Sequence, residues 1–290
     1  MHFDEIVIET DRLDFPALTA GEGPVVVCWH GFPDHPATFG PLAEHLVAAG
    51  RRVVAPFLRG HHPATADAMR FADGLTLAAD AAAVASALGG PVDVFGHDIG
   101  AGMVYRLTAL RPELVRRAVT AAVPAPARMP ALLTDPAQQQ RLFYLWLFQL
   151  PGLPEQLLAG DRRLVDYLWS TWSPGLADLG AHRERVHALY GDTALLGNAL
   201  RIYRGNFDAA LRDPELLALA ARSELPAEKP ILLLAGADDG CVDARWFTEE
   251  GLAPGSRVEI LPDAGHFLHL ERPVEVARLA LDWYGQPVST

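Results

Sequence analysis

The chain is constrained most by a rhythm that breaks once. Short apolar, β-branched runs alternate with longer stretches of helical spacing, the pattern of a mostly parallel sheet flanked by helices. Residues 25–29, 52–56, 92–96, 118–123 and 231–235 read as strands, 257–261 as a weaker one, and the alternating 5–9 as an edge strand. Helical patterns fill 39–49, 75–88 and 101–110. After Val123-Pro124-Ala125-Pro126 the rhythm stops, and it resumes only at Pro226-Ala227-Glu228-Lys229-Pro230. The residues between are rich in Leu, Trp, Tyr and Phe at helical spacing, with almost no strand signal. A helical insertion between two sheet strands forms a cap over one end of the sheet, and open α/β sheets bind ligands at the carboxyl ends of their strands. The expected division is a core of residues 1–126 and 227–290 and a helical cap of residues 127–226.

Bulk properties narrow the partners. With 290 residues, half of them hydrophobic, the chain can bury a large core. A formal net charge of -12 repels phosphate backbones and anionic headgroups, which argues against nucleic acid and membrane surfaces as partners. It also disfavours anionic substrates, unless a local basic pocket overrules it. The two cysteines, Cys28 and Cys241, have neither the number nor the spacing of a metal site or a disulfide framework, and Cys28 reads as a small core residue. The amino terminus carries Asp4 and Glu5 where a secretory signal would be basic. No stretch reaches the roughly 18 apolar residues of a membrane span. A soluble, cytoplasmic protein is expected; the sequence leaves its oligomeric state open.

Four segments carry chemistry. In Gly96-His97-Asp98-Ile99-Gly100, following a buried run and opening a helix, the Gly-x-Asp-x-Gly spacing is that of a nucleophile elbow with Asp where esterases carry Ser. Taken alone, Asp98 reads equally well as a helix N-cap. His30-Gly31-Phe32-Pro33-Asp34 follows the 25–29 strand, where a loop supplies an oxyanion-hole N–H; the donors would be Phe32 and Ile99. Asp238 and Asp239 end the 231–235 strand, placed to orient an imidazole, with Asp239 the favoured one and an Asx turn the alternative for the other. His266, in Asp263-Ala264-Gly265-His266, falls last in the order nucleophile, acid, histidine. His269 reads as packing or surface.

Together these segments resemble the epoxide hydrolases of the α/β-hydrolase superfamily, a group that also holds the haloalkane and haloacetate dehalogenases. The resemblance spans essentially the whole chain, from His30-Gly31-Phe32-Pro33 through Gly96-His97-Asp98 to Gly265-His266. In the cap, Tyr144 precedes Phe148-Gln149-Leu150-Pro151-Gly152 as a tyrosine does in that group, and Ala199-Leu200-Arg201-Ile202-Tyr203-Arg204-Gly205-Asn206 is similar to the segment carrying its second lid tyrosine. The alternative for each tyrosine is amphipathic packing with the hydroxyl at the cap surface. Two departures stand out. Ile99 replaces the Trp common after the nucleophile, and Phe57 stands where relatives often have Asp.

The resemblance implies an α/β-hydrolase fold and a two-step hydrolysis of an apolar epoxide to a vicinal diol, with water as second reactant and neither metal nor organic cofactor. Asp98 would attack the ring while Tyr144 and Tyr203 polarise its oxygen. His266, oriented by Asp239, would then activate water against the ester, with the Phe32 and Ile99 N–H groups holding the oxyanion. Trp146, Phe148 and His30 are the candidates to line the substrate pocket, although Trp146 and Phe148, like Trp169, Trp172 and Phe143, suit the cap's own core equally well. A dehalogenase is the nearest alternative, but Ile99 and Phe32 offer no side-chain donor for a departing halide, and Ile99 cannot hold a substrate carboxylate as the Arg of fluoroacetate dehalogenases does. A catalytically silent binding protein on the same fold, and more weakly an esterase, are the other readings.

Overall fold

Of the eight strands in the central sheet, all but one run parallel. In this computed structural model, which describes residues 1–160, 162–176 and 180–285, the strands are β1 (Asp4–Ile8), β2 (Phe15–Ala20), β3 (Val25–Trp29), β4 (Arg52–Pro56), β5 (Val92–His97), β6 (Val115–Ala121), β7 (Ile231–Gly236) and β8 (Arg257–Leu261). Their spatial order is β1-β2-β4-β3-β5-β6-β7-β8. The exception, β2, was not anticipated. Pro16 demotes its pattern, since proline cannot donate to a ladder. The strand forms regardless, pairing Val7 with Pro16 on one side and Leu18 with Ala55 on the other. Strand β6 begins at Val115, earlier than the 118–123 expected, and it ends earlier because Ala122 already has a left-handed φ of 65°.

Strand β3 explains why the interior strands read as unbroken apolar runs. Val27 and Trp29 face one layer, packed with Leu77 and Val84 of α2 (Gly74–Ala87) and Val104 of α3 (Ile99–Leu110). Val26 and Cys28 face the other, packed with Leu42 and Leu46 of α1 (Gly40–Ala48) and with Val276 and Trp283 near the carboxyl end of the chain. Both faces are covered, so both faces must be hydrophobic. From β3 the sheet grows outward in both directions, to β4 on one side and β5 on the other. That reversal opens a crevice at the carboxyl ends of β3 and β5, where doubly wound sheets bind their ligands.

Between β6 and β7 the described residues form helices only: α4 (Met129–Thr134), α5 (Pro136–Arg141), α6 (Phe143–Leu147), α7 (Leu153–Ala159), α8 (Arg163–Trp172), α9 (Gly180–Gly191), α10 (Thr193–Gly205) and α11 (Ala220–Ser223), with short 3-10 turns. Their apolar faces share one cluster, including Leu158, Leu168, Trp169, Trp172, Val186 and Leu200. Phe32 and Phe267 from the strand ends enter the same cluster, so the insertion packs directly onto the crevice. After β8, α12 (Leu268–Glu271) and α13 (Pro273–Gly285) close the core. No described helix is long and apolar enough to cross a membrane.

Candidate active site

Asp98 sits between β5 and α3 with φ 52° and ψ -115°, a conformation costly for any residue with a Cβ. The neighbouring glycines make the turn possible. A Cβ on Gly96 would lie 2.2 Å from the Gly100 carbonyl oxygen, and one on Gly100 would lie 2.1 Å from the Trp29 carbonyl oxygen. A Cβ on Gly31 would meet Asp98 Oδ1 at 2.3 Å, so the loop after β3 also needs glycine to reach the carboxylate. That approach brings the Phe32 N–H to donate to Asp98 Oδ1 at 2.9 Å. Ile99 opens α3, where an N–H has no intrahelical acceptor, and it lines the same cavity as Asp98.

Across from Oδ1, the Nε2 of His266 stands 3.7 Å from Asp98 Oδ2. The far side of the ring is fixed: His266 Nδ1 lies 2.9 Å from Asp239 Oδ2, while Asp239 Oδ1 accepts from the N–H groups of Cys241 (2.7 Å) and Val242 (3.0 Å). Asp238 is exposed and takes no part in this line. Burial pushes the His266 imidazole toward its neutral form, but the carboxylates of Asp239 and Asp98 outweigh burial and raise its pKa to about 10. At neutral pH the ring is an imidazolium between two carboxylates.

The insertion holds these loops in place. The Trp172 carbonyl accepts from both Gly240 N (3.1 Å) and His266 N (2.9 Å), and Ser173 Oγ accepts from Phe267 N (2.9 Å). Arg141 donates to the Asp239 carbonyl at 2.7 Å, and Trp169 Nε1 to that of Pro33 at 2.7 Å. None of these contacts is visible in the sequence, because each depends on how the insertion folds back over the strand ends.

Above Asp98 lies a cavity of about 200 Å³ whose lining includes Tyr144 and Tyr203. Their rings meet edge to face, centroids 5.8 Å apart. The Tyr144 hydroxyl lies 3.5 Å from Cys241 Sγ, and the buried Tyr203 hydroxyl has no hydrogen-bond partner. Burial first, then the Cys241 and Asp98 sites and the partner phenols, push both pKa values well above the ordinary tyrosine range. Both phenols therefore keep their protons.

Three residues expected in the pocket sit elsewhere. Trp146 is 44% exposed, its ring against Phe207 and its Nε1 donating to Gln139, outside the cavity lining. Residues two apart on a helix point in nearly opposite directions, so placing Tyr144 inside turns Trp146 out. Phe148, one turn on, is buried behind the tyrosines, 5.6 Å from the Tyr144 ring and 5.1 Å from that of Tyr203. His30 is a loop brace. Burial drives its pKa down to about 3, and the neutral ring bridges the Gly31 carbonyl (3.0 Å) and the Leu58 N–H (3.2 Å).

Behind His266, and not read as a group from the sequence, Asp34, His97 and His269 lie buried with their facing donor atoms within 4.8 Å of one another, spacing that could hold a metal ion. His97 Nε2 lies 2.9 Å from the His266 carbonyl oxygen, so this group also backs the imidazole loop.

Residues 26–279 match the alpha/beta hydrolase family. The chain belongs to that family. Epoxide hydrolase A of Mycobacterium tuberculosis is 29% identical to this hydrolase over 319 residues, covering 96% of each chain. The AB hydrolase superfamily protein YfhM of Bacillus subtilis is 27% identical over 292 residues, covering 95% of this chain and 96% of its own. A laboratory-evolved variant of potato epoxide hydrolase superposes with a TM-score of 0.76 at 21% identity, over 97% of this chain and 98% of that one. That likeness fixes the fold.

Proposed function

We propose that this hydrolase opens epoxides to vicinal diols through an ester on Asp98, with residues 127–226 serving as the cap. One observation carries the reading: a carboxylate with an imidazole 3.7 Å away faces a cavity lined by two buried phenols, one with no partner. An epoxide oxygen leaves as an alkoxide, a very poor leaving group, so ring opening needs a proton donor opposite the nucleophile. An esterase has no use for carboxylate at this elbow, and a binding protein no use for the Asp98–His266–Asp239 line.

On this reading the two oxygens of Asp98 have different tasks. Oδ1, held by the Phe32 N–H, becomes the ester carbonyl oxygen, and Oδ2 attacks the ring carbon. The C–O bond of the ring breaks, and Tyr144 or Tyr203 gives its proton to the departing oxygen. Esterification removes the charge of Asp98, one of the causes that raise the His266 pKa. His266 then sheds the proton that restores the tyrosine and becomes a base. Water, deprotonated by His266, attacks the ester carbonyl carbon, and the N–H groups of Phe32 and Ile99 hold the charge that develops on Oδ1. Collapse releases the diol carrying the former Oδ2; His266 returns its proton to the leaving alkoxide, and the new Asp98 carboxyl passes its own proton to His266, restoring the starting pair.

His266→Gln separates the two steps. Incubated with styrene oxide, this variant accumulates enzyme heavier by one substrate mass on intact-protein mass spectrometry. A variant that shows no adduct, with an epoxide the wild type turns over, excludes the ester route.

A further inference from the structure

Three loops of the candidate site each hand one side chain to the buried group behind it. Asp34 lies two residues beyond Phe32, His97 directly precedes Asp98, and His269 follows His266 by three. All three are fully buried, Asp34 in the loop after β3, His97 at the end of β5 and His269 in α12.

The hydrogen bonds around the group decide which atoms carry protons. His97 Nε2 faces the His266 carbonyl oxygen at 2.9 Å, and a carbonyl only accepts, so the neutral ring holds its proton on Nε2 and a lone pair on Nδ1. The Thr38 hydroxyl donates to the His35 carbonyl at 2.9 Å. His269 Nε2, 3.4 Å from Thr38 Oγ1, is therefore the donor of that pair, and its Nδ1 is likewise bare. Asp34 Oδ1 accepts from the His35 N–H at 2.7 Å, which leaves Oδ2. Asp34 Oδ2, His97 Nδ1 and His269 Nδ1 have no hydrogen-bond partner. These are three acceptors and no donor, in a group whose ligand atoms lie within 4.8 Å of one another.

Buried lone pairs that face one another without a donor are costly. A water molecule brings two hydrogens to three lone pairs. A proton on His97 Nδ1 would serve Asp34, yet that nitrogen stands 3.5 Å from Asp34 Oδ2. An imidazolium–carboxylate hydrogen bond closes to about 2.7–2.9 Å. Two ligands on one tetrahedral zinc, with bonds near 2.1 Å, stand about 3.4 Å apart.

We propose that Asp34, His97 and His269 bind a divalent transition-metal ion of the zinc class, which ties together the loops that carry Phe32, Asp98 and His266. Two imidazoles and a carboxylate form a zinc donor set that leaves the fourth position to water. Ligating imidazoles characteristically give their second N–H to a protein oxygen, as His97 does to the His266 carbonyl and His269 to Thr38. The ion touches no substrate and stands apart from the chemistry of Asp98. Because its ligands are buried, it enters as the chain folds and exchanges slowly afterwards.

Metal content tests this. Protein without a histidine tag, expressed in zinc-supplemented medium, is expected to keep a single zinc per chain through dialysis against EDTA and to release it on unfolding. Refolded with Co²⁺, it should develop the visible absorption of a tetrahedral cobalt site. His269→Gln and Asp34→Asn should each weaken cobalt binding by more than about a hundredfold, the most that losing a hydrogen-bond partner of a ligand costs. Anomalous scattering at the zinc edge should place the ion between the three side chains without any substitution. Folded wild type that holds no stoichiometric metal after both treatments overturns the proposal, and a proton on one ring then balances the carboxylate. An anomalous peak elsewhere, or cobalt binding untouched by both substitutions, overturns it as well.

Discussion

The two halves of the candidate site are built by different means. The sheet supplies Asp98, Asp239 and His266 from strand ends, where close backbone approaches at Gly31, Gly96 and Gly100 leave no room for a side chain. The insertion supplies Tyr144 and Tyr203 from helices, where an aromatic cluster positions the rings and no single backbone contact decides the outcome. Charge sits on the rigid half and neutral donors on the packed half. The reaction proposed here needs that split: the nucleophile has to be fixed and ionised, whereas the proton donors have to stay neutral, which burial ensures.

Substitutions in each half should fail differently. Asp98→Ala removes the atom that forms the ester, and turnover is expected to fall by roughly 10⁴-fold or more, as for the members of other catalytic units. Steady-state assays with styrene oxide check this, and activity close to that of the wild type would refute the role. In the other half, Tyr144→Phe and Tyr203→Phe should each slow ring opening on the order of a hundredfold, the scale of losing one donor in a dry site. The double variant should fall far below either single one. Pre-steady-state ester formation reads this step directly, and a double variant with an unchanged rate breaks the comparison between the halves.

The smallest expected effect is on stability. The His266 pKa is raised from 6.5 to about 10, so its imidazolium form favours the folded state. That contribution is complete below pH 6.5 and is lost as pH rises through about 10. Thermal melts of wild type and His266→Gln should differ most near pH 6, with the gap narrowing toward pH 10. A gap that widens with pH would mean the ring is neutral when folded.

The same contrast explains what the sequence revealed. The elbow was legible because a strained turn leaves no choice at Gly96 and Gly100, and the parallel strands because burial on both faces forces apolar runs. Strand β2 was not legible, since Pro16 argues against pairing until β1 and β4 stand on either side of it. In the insertion, Tyr144 and Tyr203 were recognisable from flanking motifs, but Trp146 was misplaced because helical phase decides which aromatic faces inward. The Trp172 and Ser173 contacts to the His266 loop carry no local signal at all. Their meaning comes from where the insertion lands.

The central claim is that Asp98 itself joins the substrate. A single turnover of styrene oxide in ¹⁸O-water with enzyme in excess, followed by mass spectrometry of the diol and of the peptide containing Asp98, tests it most directly. The account predicts unlabelled diol and one ¹⁸O in Asp98. Labelled diol with an unlabelled Asp98 would mean that water opens the ring directly, and would contradict it.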